Sequence, residues 1–315
     1  MKKIAFTCGD PAGIGFEVLL KALLQLPKPL NFYPLIFGTQ ALFEHEAYRS
    51  LLAELALMLN DQFELRSVFN LKQVSLGQAT ASQGEAAAVF IKEAVQTVMN
   101  RECVSLVTAP ISKEAMALAQ QPFLDHTTFL KALTKVDEVS MAFYSSYFSV
   151  VLATVHVPLN KVSSLISQKN FLEKRLAHCF DFMTFLGKKR PKIAVAGLNP
   201  HAGENGLYGV EEQQVLVPFV NAAGPQVFGP FAPDTIFRSL LNKEFDCLLA
   251  MYHDQALIPL KLLAFDEAVN VTMGLPFLRT SPDHGTAYDI VGRDCANPAS
   301  MKAAIQFVCQ HAITL

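Results

Sequence analysis

The residues best placed to do chemistry lie between Asp246 and Arg293. An apolar run, Cys247 to Met251, stops on Tyr252-His253-Asp254-Gln255, four hydrogen-bonding side chains in succession. The run is short enough for one buried strand, and in open α/β sheets ligands gather beyond the carboxyl ends of strands. A histidine there, followed by an aspartate able to orient it, is a candidate metal ligand or acid–base group. Lys261, Asn270 and Arg279 follow in the same segment and form an anion-binding inventory. Two further strands end near a histidine: Phe148 to Val155 before His156, and Lys192 to Gly197 before Leu198-Asn199-Pro200-His201. Three imidazoles meeting at one sheet edge would make a three-nitrogen site with an open position, the arrangement of a catalytic metal. Zn²⁺ suits such ligands, and Co²⁺, Ni²⁺ or Fe²⁺ bind similar ones. Asp254, or Asp234 in Ala232-Pro233-Asp234-Thr235, could hold a histidine's second nitrogen. Read singly, each histidine is more often a satisfied loop residue than a ligand, and no H-E-x-x-H spacing ties them together.

The elements that must position these groups alternate between strand and helix. Ile4 to Cys8 reads as a strand that breaks into Gly9-Asp10-Pro11-Ala12-Gly13-Ile14-Gly15 before a helix from Phe16 to Leu26. Such a turn can hold an anion on backbone N–H groups, but its glycines fit neither standard nucleotide fingerprint. Tyr33 to Phe37 is a second strand, and Leu42 to Leu59 reads as a helix. The Ser82-Gln83-Gly84-Glu85 turn precedes a helix from Ala86 to Met99, apolar at helical spacing. Val104 to Val107 is a strand leading to Ser112, a helix cap, and to Lys113, which faces either a ligand or solvent. Asp125-His126-Thr127-Thr128 opens a helix, where His126 could donate to an anion or merely sit in a capping turn. Met141 to Phe143 and Phe148 to Val155 read as an antiparallel pair, Phe171 to Phe185 as a helix, and Pro298 to Ile313 as a terminal helix. This alternation predicts an α/β sandwich with one antiparallel excursion.

Composition narrows the field. A hydrophobic fraction of 51% against 17% charged residues describes a folded, core-rich chain. A formal charge of -2 supplies no basic field, so nucleic acid is not an expected partner. The six cysteines show no C-x-x-C spacing and read as reduced thiols. No apolar stretch approaches the roughly 18 residues of a membrane span. The chain enters a strand at once, without the pattern of a signal peptide, so a cytoplasmic location is expected.

GDPAGIG, TAPISK, HTTFL, HVPL, GLNPHAGE, APDT, AMYHDQ and NVTMGLPFLRTSPDHGTAYDIVGR occur in order from Gly9 to Arg293. Together they resemble the 4-hydroxythreonine-4-phosphate dehydrogenase family of pyridoxal phosphate biosynthesis. The resemblance implies a two-lobed α/β/α sandwich of the isocitrate/isopropylmalate dehydrogenase type. Residues 1–122 with 282–315 would form one lobe and 123–281 the other, with the active site in the cleft. It implies a homodimer with a shared active site, and a divalent metal (Zn, Mg or Co) on His156, His201 and His253. Substrate contacts would come from His126, Thr127, Lys261, Asn270 and Arg279, with Asp234 and Asp254 maintaining the catalytic site. The implied reaction oxidises C3 of 4-phosphooxy-L-threonine with NAD or NADP and then releases CO₂; the resemblance assigns no cofactor-binding residues. Phe16 and the Asp125 and Thr128 flanks of the His-Thr pair depart from the family pattern, which usually reads G-H-T-E at the pair. The runner-up is therefore a relative acting on a phosphothreonate or other hydroxy acid. A three-histidine zinc hydrolase and a non-enzymatic binding protein are the rivals from other classes.

Overall fold

The computed structural model describes residues 1–312. It divides into two compact units, residues 1–137 with 275–315 and residues 138–274. These limits differ from those expected from the sequence: helix His126–Thr134 and strand Leu278–Ser281 belong to the first unit.

In the first unit five parallel strands lie in the order Glu64–Ser67, Phe32–Gly38, Lys2–Thr7, Ser105–Thr108, Leu278–Ser281. Strands covered on both faces read as continuous apolar runs, and Ile4, Ala5, Phe6, Leu35, Ile36, Phe37 and Leu106 are all fully buried. Helix Ala81–Met99 packs on strands Lys2–Thr7 and Phe32–Gly38, and helix Gly15–Leu24 packs against Ala299–His311 and Arg49–Leu59. In the second unit the order is Val269–Met273, Ser140–Tyr144, Ser149–Leu152, Cys247–Ala250, Ile193–Ala196, Val227–Phe231. The first two pairings are antiparallel, the excursion expected near 140–155, and the rest are parallel. Its core gathers Phe143, Phe148, Val150, Leu152, Leu248 and Leu260.

Three local departures have clear causes. The helix expected over 42–59 is broken into Gln40–Phe43, a turn at Glu46–Tyr48, and Arg49–Leu59. Phe43 and Tyr48 both turn inward onto Phe16, with ring centroids 5.7 and 5.1 Å away, and His45 Nδ1 accepts from Ala47 N to start the new turn. The helix expected from Ala86 begins at Ala81, because Thr80 Oγ1 accepts from Gln83 N. Gly84 therefore lies inside that helix rather than in a turn; a Cβ there would come within 2.0 Å of Ala115 O, so glycine is what lets the two helices touch. Strands Glu64–Ser67, Val227–Phe231, Val269–Met273 and Leu278–Ser281 are not read from the sequence: the first and last are mostly polar, Val227–Phe231 carries Gly229 and Pro230, and Val269–Met273 alternates over only five residues. The terminal helix runs Ala299–His311; its expected end at Ile313 lies outside the described residues.

Candidate active site

Strands Ser149–Leu152 and Cys247–Ala250 are parallel neighbours, with Leu152 opposite Ala250. Both chains therefore leave the sheet side by side, and the buried Thr154 hydroxyl donates to Met251 O at 2.7 Å to hold them together. His156 and His253 emerge just beyond that clasp, with ring centroids 5.5 Å apart. His156 has φ +47°, a left-handed conformation that costs a non-glycine residue about 1–2 kcal/mol. His253 is the first residue of helix His253–Ala264, and its Nδ1 lies 2.7 Å from Asp254 Oδ1. This engages one ring nitrogen and leaves Nε2 for a ligand. The two histidines, Thr154, Tyr252 and Asp254 line a depression of about 240 Å³.

Two imidazoles on one tetrahedral ion, with metal–nitrogen bonds of about 2.0–2.1 Å, have ring centroids roughly 5 Å apart. The His156–His253 pair fits that spacing, and the donor set suits a borderline divalent ion. His201 does not join them within one chain. Among the described residues no group of three His, Cys, Asp or Glu side chains is arranged to hold a metal ion. The His201 ring instead neighbours Tyr208, with centroids 6.3 Å apart. Its loop is unusual: His201, Ala202, Gly203, Glu204 and Asn205 all have positive φ. The anchor of this left-handed turn is Glu212, a buried carboxylate that sequence reading passed over. Its Oε1 accepts from Leu198 N and Asn199 N, both at 2.7 Å, and its Oε2 accepts from Asn199 Nδ2 at 2.9 Å. Of the two expected supporting aspartates, Asp254 holds His253, whereas Asp234 stands exposed on the turn before helix Ile236–Leu241.

Of the expected substrate residues in this unit, Lys261 is half-buried on helix His253–Ala264, its Nζ 6.0 Å from the Phe265 ring centroid. Asn270 sits on strand Val269–Met273, and its Oδ1 is sealed from solvent without a hydrogen-bond partner. A buried polar atom left so costs about 1–3 kcal/mol, which a ligand donor would recover.

The first unit collects the remaining ones. Arg279 is 3% exposed, on a strand paired with Ser105–Thr108. Its Nε and Nη2 donate to Thr108 Oγ1 at 3.2 and 2.6 Å. Burial lowers its pKa to about 9, partly offset by the charge of Asp125. Asp125 caps helix His126–Thr134, its Oδ1 accepting from Thr128 N at 2.9 Å. His126 and Thr127 thus open that helix, and His126 Nε2 is buried without a partner. Burial, then the charge of Arg279, pushes the His126 imidazole well below its ordinary value, so it is neutral at pH 7. A neutral imidazole and a buried guanidinium side by side form a dry cationic recess suited to an anion.

Nearby, the glycine turn is tied down rather than left open. Gly9 has φ +70°, and a Cβ there would come within 2.2 Å of Pro110 O. Buried Asp10 accepts from Ala12 N at 2.8 Å and from the Tyr288 hydroxyl, two partners that no sequence pattern announced. Lys113 is exposed at its helix start, which favours the solvated reading.

Comparison with known proteins identifies the family. Residues 31–308 match the family model "Pyridoxal phosphate biosynthetic protein PdxA". The chain is 39% identical to a 4-hydroxythreonine-4-phosphate dehydrogenase of Sulfurihydrogenibium sp., covering 97% of each. It is 36% identical to a D-threonate 4-phosphate dehydrogenase of Salmonella typhimurium, covering 99% of each. The crystal structure of 4-hydroxythreonine-4-phosphate dehydrogenase from Klebsiella pneumoniae superposes with a TM-score of 0.85 at 34% identity, over 100% of this chain and 98% of that one. An isocitrate dehydrogenase from Methylococcus capsulatus, 13% identical with a TM-score of 0.50 over 99% of this chain and 86% of its own, shares the fold. No described helix is long and apolar enough to cross a membrane. The strand-end recesses of an α/β fold and full-length similarity at this level lead to one conclusion: the chain belongs to the PdxA family of dehydrogenases in pyridoxal phosphate biosynthesis.

Proposed function

We propose that this protein oxidises 4-phosphooxy-L-threonine at C3 with NAD⁺ or NADP⁺ and then decarboxylates the product to 3-amino-2-oxopropyl phosphate. The observation that carries this reading is the recess where the buried Arg279 guanidinium, held by Thr108, lies beside a His126 Nε2 that is buried without a hydrogen-bond partner. Arg279 and Lys261 balance the phosphate and carboxylate charges, His126 and Thr127 add hydrogen bonds, and Asn270 Oδ1 accepts from a substrate N–H or O–H. His156 and His253 hold a divalent ion (Zn, Mg or Co), and Asp254 fixes the His253 tautomer. When bound, that ion supplies Lewis-acid polarisation of the C3 oxygen. A hydride passes from C3 to the nicotinamide and the hydroxyl proton is released. The resulting ketone is β to the carboxylate, so breaking C1–C2 sends its electron pair toward the ketone oxygen, and C2 is then reprotonated. Asp234, exposed in the single chain, is assigned with Asp254 to maintain the site.

The active unit is a homodimer with a shared site. Helix His253–Ala264 and the residue after it leave Ile258, Leu262 and Phe265 exposed at 60%, 80% and 63%, a stripe at helical spacing that a second copy would cover. His201, separated from the other two imidazoles within one chain, completes the ligand set in that assembly.

D-threonate 4-phosphate is the second reading, favoured by the Salmonella relative. The deciding experiment incubates the protein with either substrate, NAD⁺ or NADP⁺, and Zn²⁺, Mg²⁺ or Co²⁺, following reduced cofactor and CO₂ together. Turnover of D-threonate 4-phosphate alone would transfer the activity to that substrate. Absence of turnover with both would remove the proposal.

A further inference from the structure

We propose that Thr108 is the positioning residue that sets the orientation of Arg279 toward its anion, an inference that rests on the anion-binding reading above. Arg279 pairs with Leu106 across parallel strands. Side chains alternate along a strand, so Thr108, two residues beyond Leu106, projects from the same face and is the diagonal neighbour of Arg279. Both side chains are removed from water, Thr108 at 0% and Arg279 at 3% exposure, so solvent does not compete for the contact. One hydroxyl oxygen receives both Nε and Nη2, the two donors along one side of the guanidinium. That double contact fixes the rotation of the planar group about its long axis. It also occupies the side edge, leaving the Nη1–Nη2 end of the fork as the edge turned to other partners. Through that end the anion is gripped, with Thr108 contributing to the setting of the fork.

The test compares Thr108→Val, which keeps the shape and removes the oxygen, with Thr108→Ser, which keeps the oxygen. Thr108→Val is expected to raise the KM for 4-phosphooxy-threonine about ten-fold or more, as loss of hydrogen bonds to a charged group implies, with kcat changed less than about three-fold. Thr108→Ser is expected to stay within about two-fold of the parent in both constants. A purely structural role would lower the melting temperature while leaving KM unmoved. Crystal structures of both variants read the Arg279 orientation directly: rotated in Thr108→Val, retained in Thr108→Ser. If Thr108→Val does not fold, Thr108→Ala serves in its place. An unchanged KM with an unrotated Arg279 overturns the inference, and so does equal damage by Val and Ser. Should the parent fail to turn over the substrate, the functional reading falls while the crystal structures still decide the positioning.

Discussion

Replacing Glu212 by Ala tests whether one buried carboxylate holds the His201 loop. The turn contains four non-glycine residues with positive φ, His201, Ala202, Glu204 and Asn205. Each costs about 1–2 kcal/mol in that region, so the loop needs an external anchor. Glu212 supplies it through three hydrogen bonds of 2.7, 2.7 and 2.9 Å to Leu198 N, Asn199 N and Asn199 Nδ2. Truncation to Ala leaves the two backbone donors without an acceptor, at about 1–3 kcal/mol each, less where water enters the cavity, while Asn199 Nδ2 keeps Glu211 Oε2 at 2.9 Å. The expected loss is about 3–5 kcal/mol of unfolding free energy, measured by urea denaturation. Glu212→Gln should fall between, because one oxygen can still serve both backbone groups while its amide faces that of Asn199. Bound zinc, measured on the same samples, should fall with stability as His201 loses its place. A loss below about 1 kcal/mol in Glu212→Ala, with zinc content unchanged, would refute the anchoring argument.

Arg279→Lys should raise substrate KM by about ten-fold or more, since an ammonium cannot reproduce the planar fork that Thr108 orients; an unchanged KM in steady-state kinetics would place Arg279 off the substrate. The depressed His126 pKa implies a stability that is full above the ordinary imidazole value of 6.5 and declines as pH falls below it, because the unfolded chain takes up a proton that the fold excludes. His178, His284 and His311 are depressed by burial too, so His126→Asn should lessen, not abolish, the fall of melting temperature between pH 7 and 5; an identical slope would contradict the burial argument. Leu262→Glu, on the stripe with Ile258 and Phe265, should shift the protein to a monomer in analytical ultracentrifugation, and an unaltered dimer would place the interface elsewhere.

Much of this protein is determined by local sequence. Apolar runs such as Cys247 to Met251 announce buried strands because both faces must be dry, and Ser112 and Asp125 mark helix starts because their oxygens reach backbone N–H groups within one turn. The histidines after strand ends, the Arg279 segment and the family motifs are likewise visible in the linear order. What the linear order left undecided depends on contacts between distant residues. Tertiary structure alone sets His156 5.5 Å from His253, since strand order, not chain order, makes their segments neighbours. It alone assigns Thr108 to Arg279, 171 positions away, and Tyr288 to Asp10. It also separates His201 from its expected partners, because a left-handed turn pinned by Glu212 sends that side chain elsewhere. Backbone preference is a property of neighbours in sequence, whereas the company kept by a buried charge is settled only when the sheet has ordered its strands.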